Sequence, residues 1–573
     1  MTRQLRSFLA GVTILLALGC GRGHVAEKHA ETGPVRGGFL VASLRSEPGT
    51  FNRFIQAGAS APTDVLTRLT HGTLVRVNHV TGEAEPWLAE RWTTSADGRT
   101  LTFTLRDGIT FSDGVPLTSA DVLFTFRALY DPEVDSVLAS AVKVQGKPLQ
   151  VSAPDARTVT VTVPAPFTNA AALLDSVWIY PQHQLQAALD AHTFAKAWGL
   201  STPPGSMAGL GPFVLSEFTP GQRMTFTRNP RYWRKEASGA ALPYLDRIVI
   251  EFVKSQDAEI LRMQTGTIDL MTQADVRPGD IAGLRKLRDQ GSLQLVDAGV
   301  SVDPNVLWFN LTADAEKRDA ATKPYLHRSE FRQAISYAVD RDAIVRTIYR
   351  DAAVPIFGPV TPGNRTWYSD TAPKYPHDIP RARALLAGIG LADRNGDGML
   401  EDSRGRPVRF SILAQGGHTR EKVATMIQDQ LKAVGIAVDV VPLDPPALGQ
   451  RFAMGDYEAI YHGFQVSAFD PALTLDFWLS SGSTHVWNPE QKTPATPWER
   501  QIDDLMAKEA AAPTLAEQQR LFAQVQKIFG ENLPAIYFVA PTVTIALSRR
   551  VGGAAPGLLD PKVLWQADTL YAR

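Results

Sequence analysis

The residues able to do chemistry are few and lie in separate stretches. Trp308, Phe309 and Asn310 follow one another in Val306–Leu311 (VLWFNL), which reads as a strand. Two aromatic faces and an amide suit an extended or flat ligand, and the alternative is ordinary core, above all for Phe309. Gly416, Gly417 and His418 precede the start of a helix, a place suited to an anion or carboxylate, or simply a strand-to-helix turn. His462, His485 and Trp487 flank the segment that opens at Phe464 and contains Asp470. They could serve a metal chelate or haem, but no fixed ligand spacing relates them, so surface or satisfied histidines are the plainer reading. Asp470 itself precedes Pro471, the pattern of a helix N-cap. Asp393 to Asp402 (DRNGDGMLED) has the D-x-N-x-D-G spacing of a calcium loop, yet its twelfth position is Arg404 where a bidentate carboxylate belongs; a turn leading into a strand fits better. G-x-S-x-G, H-E-x-x-H, the P-loop and G-x-G-x-x-G do not occur. The residues thus point to binding, with no metal centre, cofactor or catalytic group.

The elements that must position these residues read as α/β. Thr100 to Leu105 alternates Thr with Leu and Phe, the period of a half-buried strand, between turn signals at Asp97-Gly98 and Asp107-Gly108. Thr118 and Asp121 form a capping box for a helix with Val122, Phe126 and Leu129 on one face. Phe213 to Phe218, the Pro220-Gly221 turn and Met224 to Arg228 read as a hairpin. Val408 to Leu413, a helix over Thr419 to Val434 and Ile436 to Val441 form a β-α-β unit, with Gly435 at the left-handed C-cap. Ser329 caps a helix over Glu330 to Val339, and Thr514 with Glu517 caps a later one that ends near Gly530.

Length and composition set the frame. The chain has 573 residues, too many for one core. It is 44% hydrophobic and 20% charged with a formal net charge of −1, which gives no electrostatic reason to expect nucleic acid as a partner. The one cysteine, Cys20, excludes a disulfide framework and a Cys-ligated zinc site. It falls where an apolar run, Phe8 to Leu18, ends behind Arg3 and Arg6. Leu16-Ala17-Leu18-Gly19-Cys20 therefore reads as a lipoprotein cleavage site, after a run shorter than the ~20 residues a membrane-spanning helix needs. Cleavage and acylation would make Cys20 a lipid anchor, and polar Gly21 to Arg36 a tether.

One stretch carries a family resemblance. Pro86, Leu88-Ala89-Glu90, Trp92, Asp97-Gly98, Leu105-Arg106-Asp107-Gly108, Phe111, Asp113-Gly114 and Pro116-Leu117-Thr118 stand at the offsets of a signature. It resembles that of the extracellular solute-binding proteins of family 5, the dipeptide-, oligopeptide- and nickel-binding receptors of bacterial ABC importers. GLGPFVLSEFTPGQRMTFTRNPRYW, from Gly209 to Trp233, resembles a second motif of the family. The resemblance implies a two-lobed periplasmic-binding-protein fold (type II, of the large peptide-binding class) with mixed sheets and an extra subdomain. On that pattern residues 1–19 are a signal peptide and 20–36 a tether. Residues 37–80, 205–302 and 532–573 make the first lobe, 81–204 a subdomain inserted in it, and 303–531 the second lobe, with crossings near Val302–Asn305 and Glu531–Pro534. It further implies a monomeric, lipid-anchored receptor of the periplasm or cell envelope. Such a receptor closes by hinge motion on a short peptide and delivers it to an inner-membrane ABC permease, so that it is no enzyme. In the family Val306–Leu311 reaches the cleft floor, and an aspartate in the loop matching Asp470 pairs with the ligand's α-ammonium. A receptor for a nickel chelate, haem or another non-peptide solute is the alternative, and a sensor or enzyme on the same scaffold a further one.

Overall fold

The alternating stretch Thr100–Leu105 forms a strand with Leu101, Phe103 and Leu105 buried and the threonines between them half-buried. It pairs antiparallel with Ala89–Thr94 and Thr158–Thr162, and Gln150–Asp155 completes a four-stranded sheet. The helix Ser119–Leu129 packs against this sheet through Val122, Phe126 and Leu129. It starts where the capping pair directs, with the Thr118 N–H donating to Asp121 Oδ2 at 2.9 Å. The other Asp121 oxygen accepts from the Gln182 N–H at 3.0 Å and so seats the next helix, Gln182–Asp190. These observations come from a computed structural model that describes residues 33–139, 141–144, 146–273, 276–416, 419–463 and 470–573. Cys20, the expected signal peptide, most of the tether, Gly417, His418 and Phe464 lie outside the described residues.

Two larger sheets organise the rest. The first runs Phe213–Thr219, Arg223–Arg228, Arg247–Phe252, Phe39–Leu44, Leu270–Met271, Val539–Ser548 and Leu293–Val300, with Ala353–Pro355 also pairing on Val539–Ser548. It is mixed: Phe39–Leu44 lies parallel to both its neighbours, while the other pairs are antiparallel. The second runs Ala437–Leu443, Arg409–Gln415, Ala459–Gly463, Asn305–Phe309 and Ala535–Tyr537. Its β-α-β unit forms as the pattern dictates, the helix Thr419–Lys432 leading to Gly435 at φ +81°. A Cβ there would stand 2.8 Å from Leu400 Cγ, so both conformation and space require glycine.

Helices cover the second sheet on both faces. Phe331, Ile335, Leu386, Val423 and Ile427 fill one side; Ile502, Met506, Phe522, Val525 and Phe529 fill the other. Besides the excursion of Ala353–Pro355 to the first sheet, the chain passes between the two sheets at two short connections. Residues 301–304 join Leu293–Val300 to Asn305–Phe309, and Phe538 alone joins Ala535–Tyr537 to Val539–Ser548. The second passage thus falls later than expected near Glu531–Pro534. Pro534 reads as a break, but the apolar triplet after it still pairs with Asn305–Phe309. The two passages are tied by the Ser301 N–H donating to Pro541 O at 2.8 Å. Two caps also differ from expectation. Ser329 is the first residue of its helix and does not cap it. Thr514 does cap Leu515–Asn532, but Glu517 turns its carboxylate to Arg520 rather than back to the cap.

Candidate functional site

Between the lobes lies a cavity of about 890 Å³. Its walls are loops set at the ends of the sheets. His79 to Ala84, Trp92, Thr168, Asn169 and Leu558–Leu559 come from the side of the first sheet, Gly299 and Val300 from its last strand before the passage. Residues 362–367, Asp470, Leu515 and Gln518 come from the other side. Hydrogen bonds join its two sides. Thr168 donates its N–H to Ala510 O at 3.2 Å and its hydroxyl to Ala512 O at 2.7 Å. Asn169 Nδ2 donates to Asp470 Oδ2 at 3.2 Å.

Asp470 is placed by its own sequence. With Pro471 it starts a short 3-10 helix, Pro471–Thr474, and Oδ1 accepts from the Ala472 N–H at 2.9 Å. Burial pushes its carboxyl above the usual range, against the pull of those two hydrogen bonds. No cation pairs with it among the described residues. Behind it, on the last turn of the helix Pro497–Ala511, stands Glu509, fully buried and with both oxygens unpartnered. Burial, and then the Asp470 charge, pushes the Glu509 carboxyl up to about 9. At neutral pH the Glu509 carboxyl in this corner is therefore a neutral acid. The helix adds its negative end to the same corner.

The rest of the wall is mixed. Val80 and Leu515 are exposed apolar side chains facing the cavity, beside Trp92 and Trp367. His79 is buried, its Nδ1 3.2 Å from Leu559 O and its ring stacked on Trp565. Burial, reinforced by the charge of Arg68, holds it neutral. Arg365 projects from the 362–367 loop as an exposed guanidinium.

The model for bacterial extracellular solute-binding proteins, family 5 (middle), matches residues 83–485. The chain belongs to that family. It is similar to a probable ABC transporter-binding protein of Deinococcus radiodurans, at 28% identity over 88% of this chain and 87% of that one. Its fold matches the substrate-binding protein CtaP of Listeria monocytogenes with a TM-score of 0.75 at 23% identity, over 94% of this chain and 99% of the other. It also matches the oligopeptide-binding protein AppA of Bacillus subtilis in complex with a nonapeptide, with a TM-score of 0.71 at 23% identity, over 94% and 100% of the two chains. This solute-binding protein is accordingly a transport receptor of the kind that serves ABC importers for peptides or related solutes.

Of the residues singled out from the sequence, Asp470 lines the cavity, and Trp308, Phe309, Asn310, His462, His485 and Trp487 do not. Trp308 is buried against Phe452, and Phe309 against Phe331 and Phe410. Asn310 spends its amide on Gly455 O and Tyr457 O and accepts from the Thr312 hydroxyl. These three were expected at the cleft floor; the helices on both faces of their sheet make them core instead. Trp487 is buried too, its Nε1 donating to Glu499 Oε1 at 3.3 Å. His485 bonds Phe477 O and Glu499 inside the same core. His462 is half-buried, its ring held down to about 4 by burial and then by Arg420. Among the described residues these histidines form no cluster. Asp393, Asp397 and Glu401 bring ligand atoms within 4.8 Å of one another, away from the cavity wall. Asp393 accepts from the N–H groups of Gly396 and Gly398, as a tight turn requires. The loops that build the wall carry no periodic signal. Glu509 did carry one: a carboxylate on the Ile502, Met506, Glu509 stripe that faces the core.

Proposed function

We propose that the cavity captures a short peptide and that the closed receptor hands it to a membrane permease. One observation carries this reading: Asp470 is a buried carboxylate on the cavity wall, held by an amide and a backbone N–H but by no cation among the described residues. A peptide ammonium would complete it through a charge-assisted hydrogen bond in a water-poor site. Gly82, Gly299, Gly363 and Gly557 bring main chain to the wall, which favours recognition of a ligand backbone with tolerance of its side chains. Val80, Trp92, Trp367 and Leu515 offer apolar contact for those side chains. The volume lies within the range of small-ligand sites. A compact cavity of that size is about 12 Å across, the span of three or four extended residues. AppA, whose fold this chain shares, also holds a peptide, though a nonapeptide longer than this cavity spans. A metal chelate or haem would meet one histidine at the described wall, His79, already stacked and bonded.

The test is binding of di- to pentapeptides, free and N-acetylated, followed by thermal unfolding. A free peptide at 100 times its dissociation constant should stabilise by about 2.7 kcal/mol. N-acetylation and Asp470→Asn should each abolish the shift. Equal shifts with free and acetylated peptides would sink the ammonium role, and no shift with any peptide would sink the ligand class. Cys20 is proposed as the lipid anchor, checked by incorporation of labelled fatty acid that Cys20→Ser should remove.

A further inference from the structure

The end of the first sheet farthest from the cleft is an edge of outward-facing guanidiniums. Val539–Ser548 runs from the second passage to this edge, a span of about 30 Å for its ten residues. Phe39 and Arg247 open two parallel strands here and stand opposite one another in register. Arg549 follows directly on Val539–Ser548, and a Cβ on Gly291 would stand 3.6 Å from its Cζ. Arg36 precedes Gly37 and Gly38, whose N–H groups donate to Tyr244 O at 2.9 Å and to Asp246 Oδ2 at 3.0 Å. Arg36, Arg247 and Arg549 are exposed and form no ion pair among the described residues. The acids around them are already engaged, Asp246 by Arg228, Asp269 by Arg550 and Asp289 by Arg288. Glu236 accepts from the Tyr244 hydroxyl, and the exposed Lys235 adjoins it in sequence. The edge thus has a local excess of positive charge on a chain whose formal net charge is −1. Two exposed apolar side chains, Val35 and Phe39, stand among these cations. The Phe39 ring lies between Arg247 and Arg550, whose Cζ atoms are 4.6 and 5.6 Å from its centroid.

We propose that this edge is a lipid-facing surface, which rests on anionic phospholipid and turns the cleft away from the membrane. The inference rests on the reading of Cys20 as a lipid anchor. The stretch from Cys20 to Gly33 reaches at most about 45 Å whatever its conformation, and the chain enters the fold at this edge, through Gly37 and Gly38. An anchor at Cys20 therefore keeps this edge near the lipid. Proximity decides the electrostatics, because the attraction between surface charges fades beyond about 10 Å at ordinary salt. The chemistry of the edge suits headgroups. A guanidinium presents paired N–H donors to a phosphate, and Val35 and Phe39 supply apolar contact at the boundary between headgroups and acyl chains. A single acyl chain holds a protein only marginally, and a basic patch beside it is the second signal that makes attachment stable. The passages and the cleft stand at the other end of Val539–Ser548, so contact at this edge leaves them facing the aqueous side.

The experiment measures co-sedimentation of the full chain with vesicles of phosphatidylcholine, alone or mixed with phosphatidylglycerol, at low and high salt. The chain carries Cys20→Ser, so that acylation does not contribute. One variant adds Arg36→Gln, Arg247→Gln and Arg549→Gln. A control adds Lys422→Gln, Lys432→Gln and Arg500→Gln instead, which removes three exposed cations of the second lobe. The parent should prefer the anionic vesicles and lose that preference at high salt. Each arginine near such a surface is worth about fivefold in partition. The edge variant should therefore bind the anionic vesicles roughly 100-fold more weakly than the parent, while the control should bind them as the parent does. An equal loss in the control would mean a response to net charge and would overturn the assignment of the edge. A parent with no preference for the anionic vesicles would overturn it too. The anchor fails separately: a chain with Cys20 intact that takes up no labelled fatty acid would overturn the claim that this edge is held at the membrane, whereas the vesicle result reports on the edge alone.

Discussion

Glu509 gives the sharpest test of the electrostatics of the cleft. In the folded protein its carboxyl keeps its proton to about pH 9, against 4.5 for the ordinary side chain. A raised folded value means that stability is fully present below about pH 4.5, declines as pH climbs, and levels off once the folded group ionises near 9. Each pH unit in that window costs the native state about 1.4 kcal/mol. At pH 7 the accumulated cost is roughly 3 kcal/mol, a large fraction of the stability of any domain. Glu509→Gln removes it. The amide has nearly the shape of the neutral acid and, like it, would be buried without a partner, so the comparison at low pH is between like and like. The variant should therefore match the wild type at pH 4.5 and exceed it by about 3 kcal/mol at pH 7. Asp470 titrates in both proteins and cancels from the difference. Urea unfolding of the ligand-free protein, followed by tryptophan fluorescence at pH 4.5, 6, 7 and 8.5, measures the gap directly. A gap that stays constant with pH would refute the reasoning. A variant less stable at every pH would show that Glu509 is ionised and paired in the native state.

Two further outcomes follow from the packing around the passages between the lobes. Arg341 is fully buried, its guanidinium held by the carbonyls of Ser336, Ile356, Tyr375 and Tyr537, and burial lowers it to about 9 while leaving it charged at neutral pH. Arg341→Met should cost about 3 kcal/mol or more in urea unfolding, because several carbonyls lose a charged donor at once; a loss under about 1 kcal/mol would mean that the core re-pairs without it. Gly363→Ala places a Cβ 1.9 Å from Val300 O, so the loop must move off the hinge strand. It should lower peptide affinity as well as the unfolding midpoint, and unchanged affinity by calorimetry would show that the position of the loop does not matter to the site.

The fold was legible where one face of an element is buried and the other is not. The Thr100–Leu105 alternation, the Thr118–Asp121 cap and the β-α-β unit around Gly435 each appear as their residues dictate. Legibility failed where both faces are buried. The alternation of Trp308, Phe309 and Asn310 tells which residues share a side, but helices cover both sides of that sheet, so neither side opens on a ligand. Trp487 failed for a related reason: a lone aromatic in a loop suits a ligand as well as it suits a core, and the helices Pro497–Ala511 and Leu515–Asn532 decide for the core. The cavity wall was largely invisible because it is assembled from loops far apart in sequence, and loops carry side-chain choices without a period. Asp470 was the exception, since the Asp-Pro pair that marks a cap also fixes where its carboxylate sits.

That double use of Asp470 bears on how binding and closure are coupled. Its Oδ2 accepts from Asn169, across the cleft, while the same carboxyl faces the cavity. The aspartate sits in a buried place that penalises its charge, and the buried Glu509 stands close enough to feel that charge. A ligand ammonium at Asp470 would favour the ionised form, and an ionised acceptor makes the bond from Asn169 stronger. On the proposed reading, cation capture thus tightens the contact that shuts the lobes. Closure in turn removes water and strengthens the pairing with the cation. The two steps favour one another through a single side chain, which is the differential interaction a ligand must have to shift an open–closed equilibrium. A ligand lacking the cation would enter the same cavity without that linkage, and would leave the lobes to the weaker neutral contacts at Thr168.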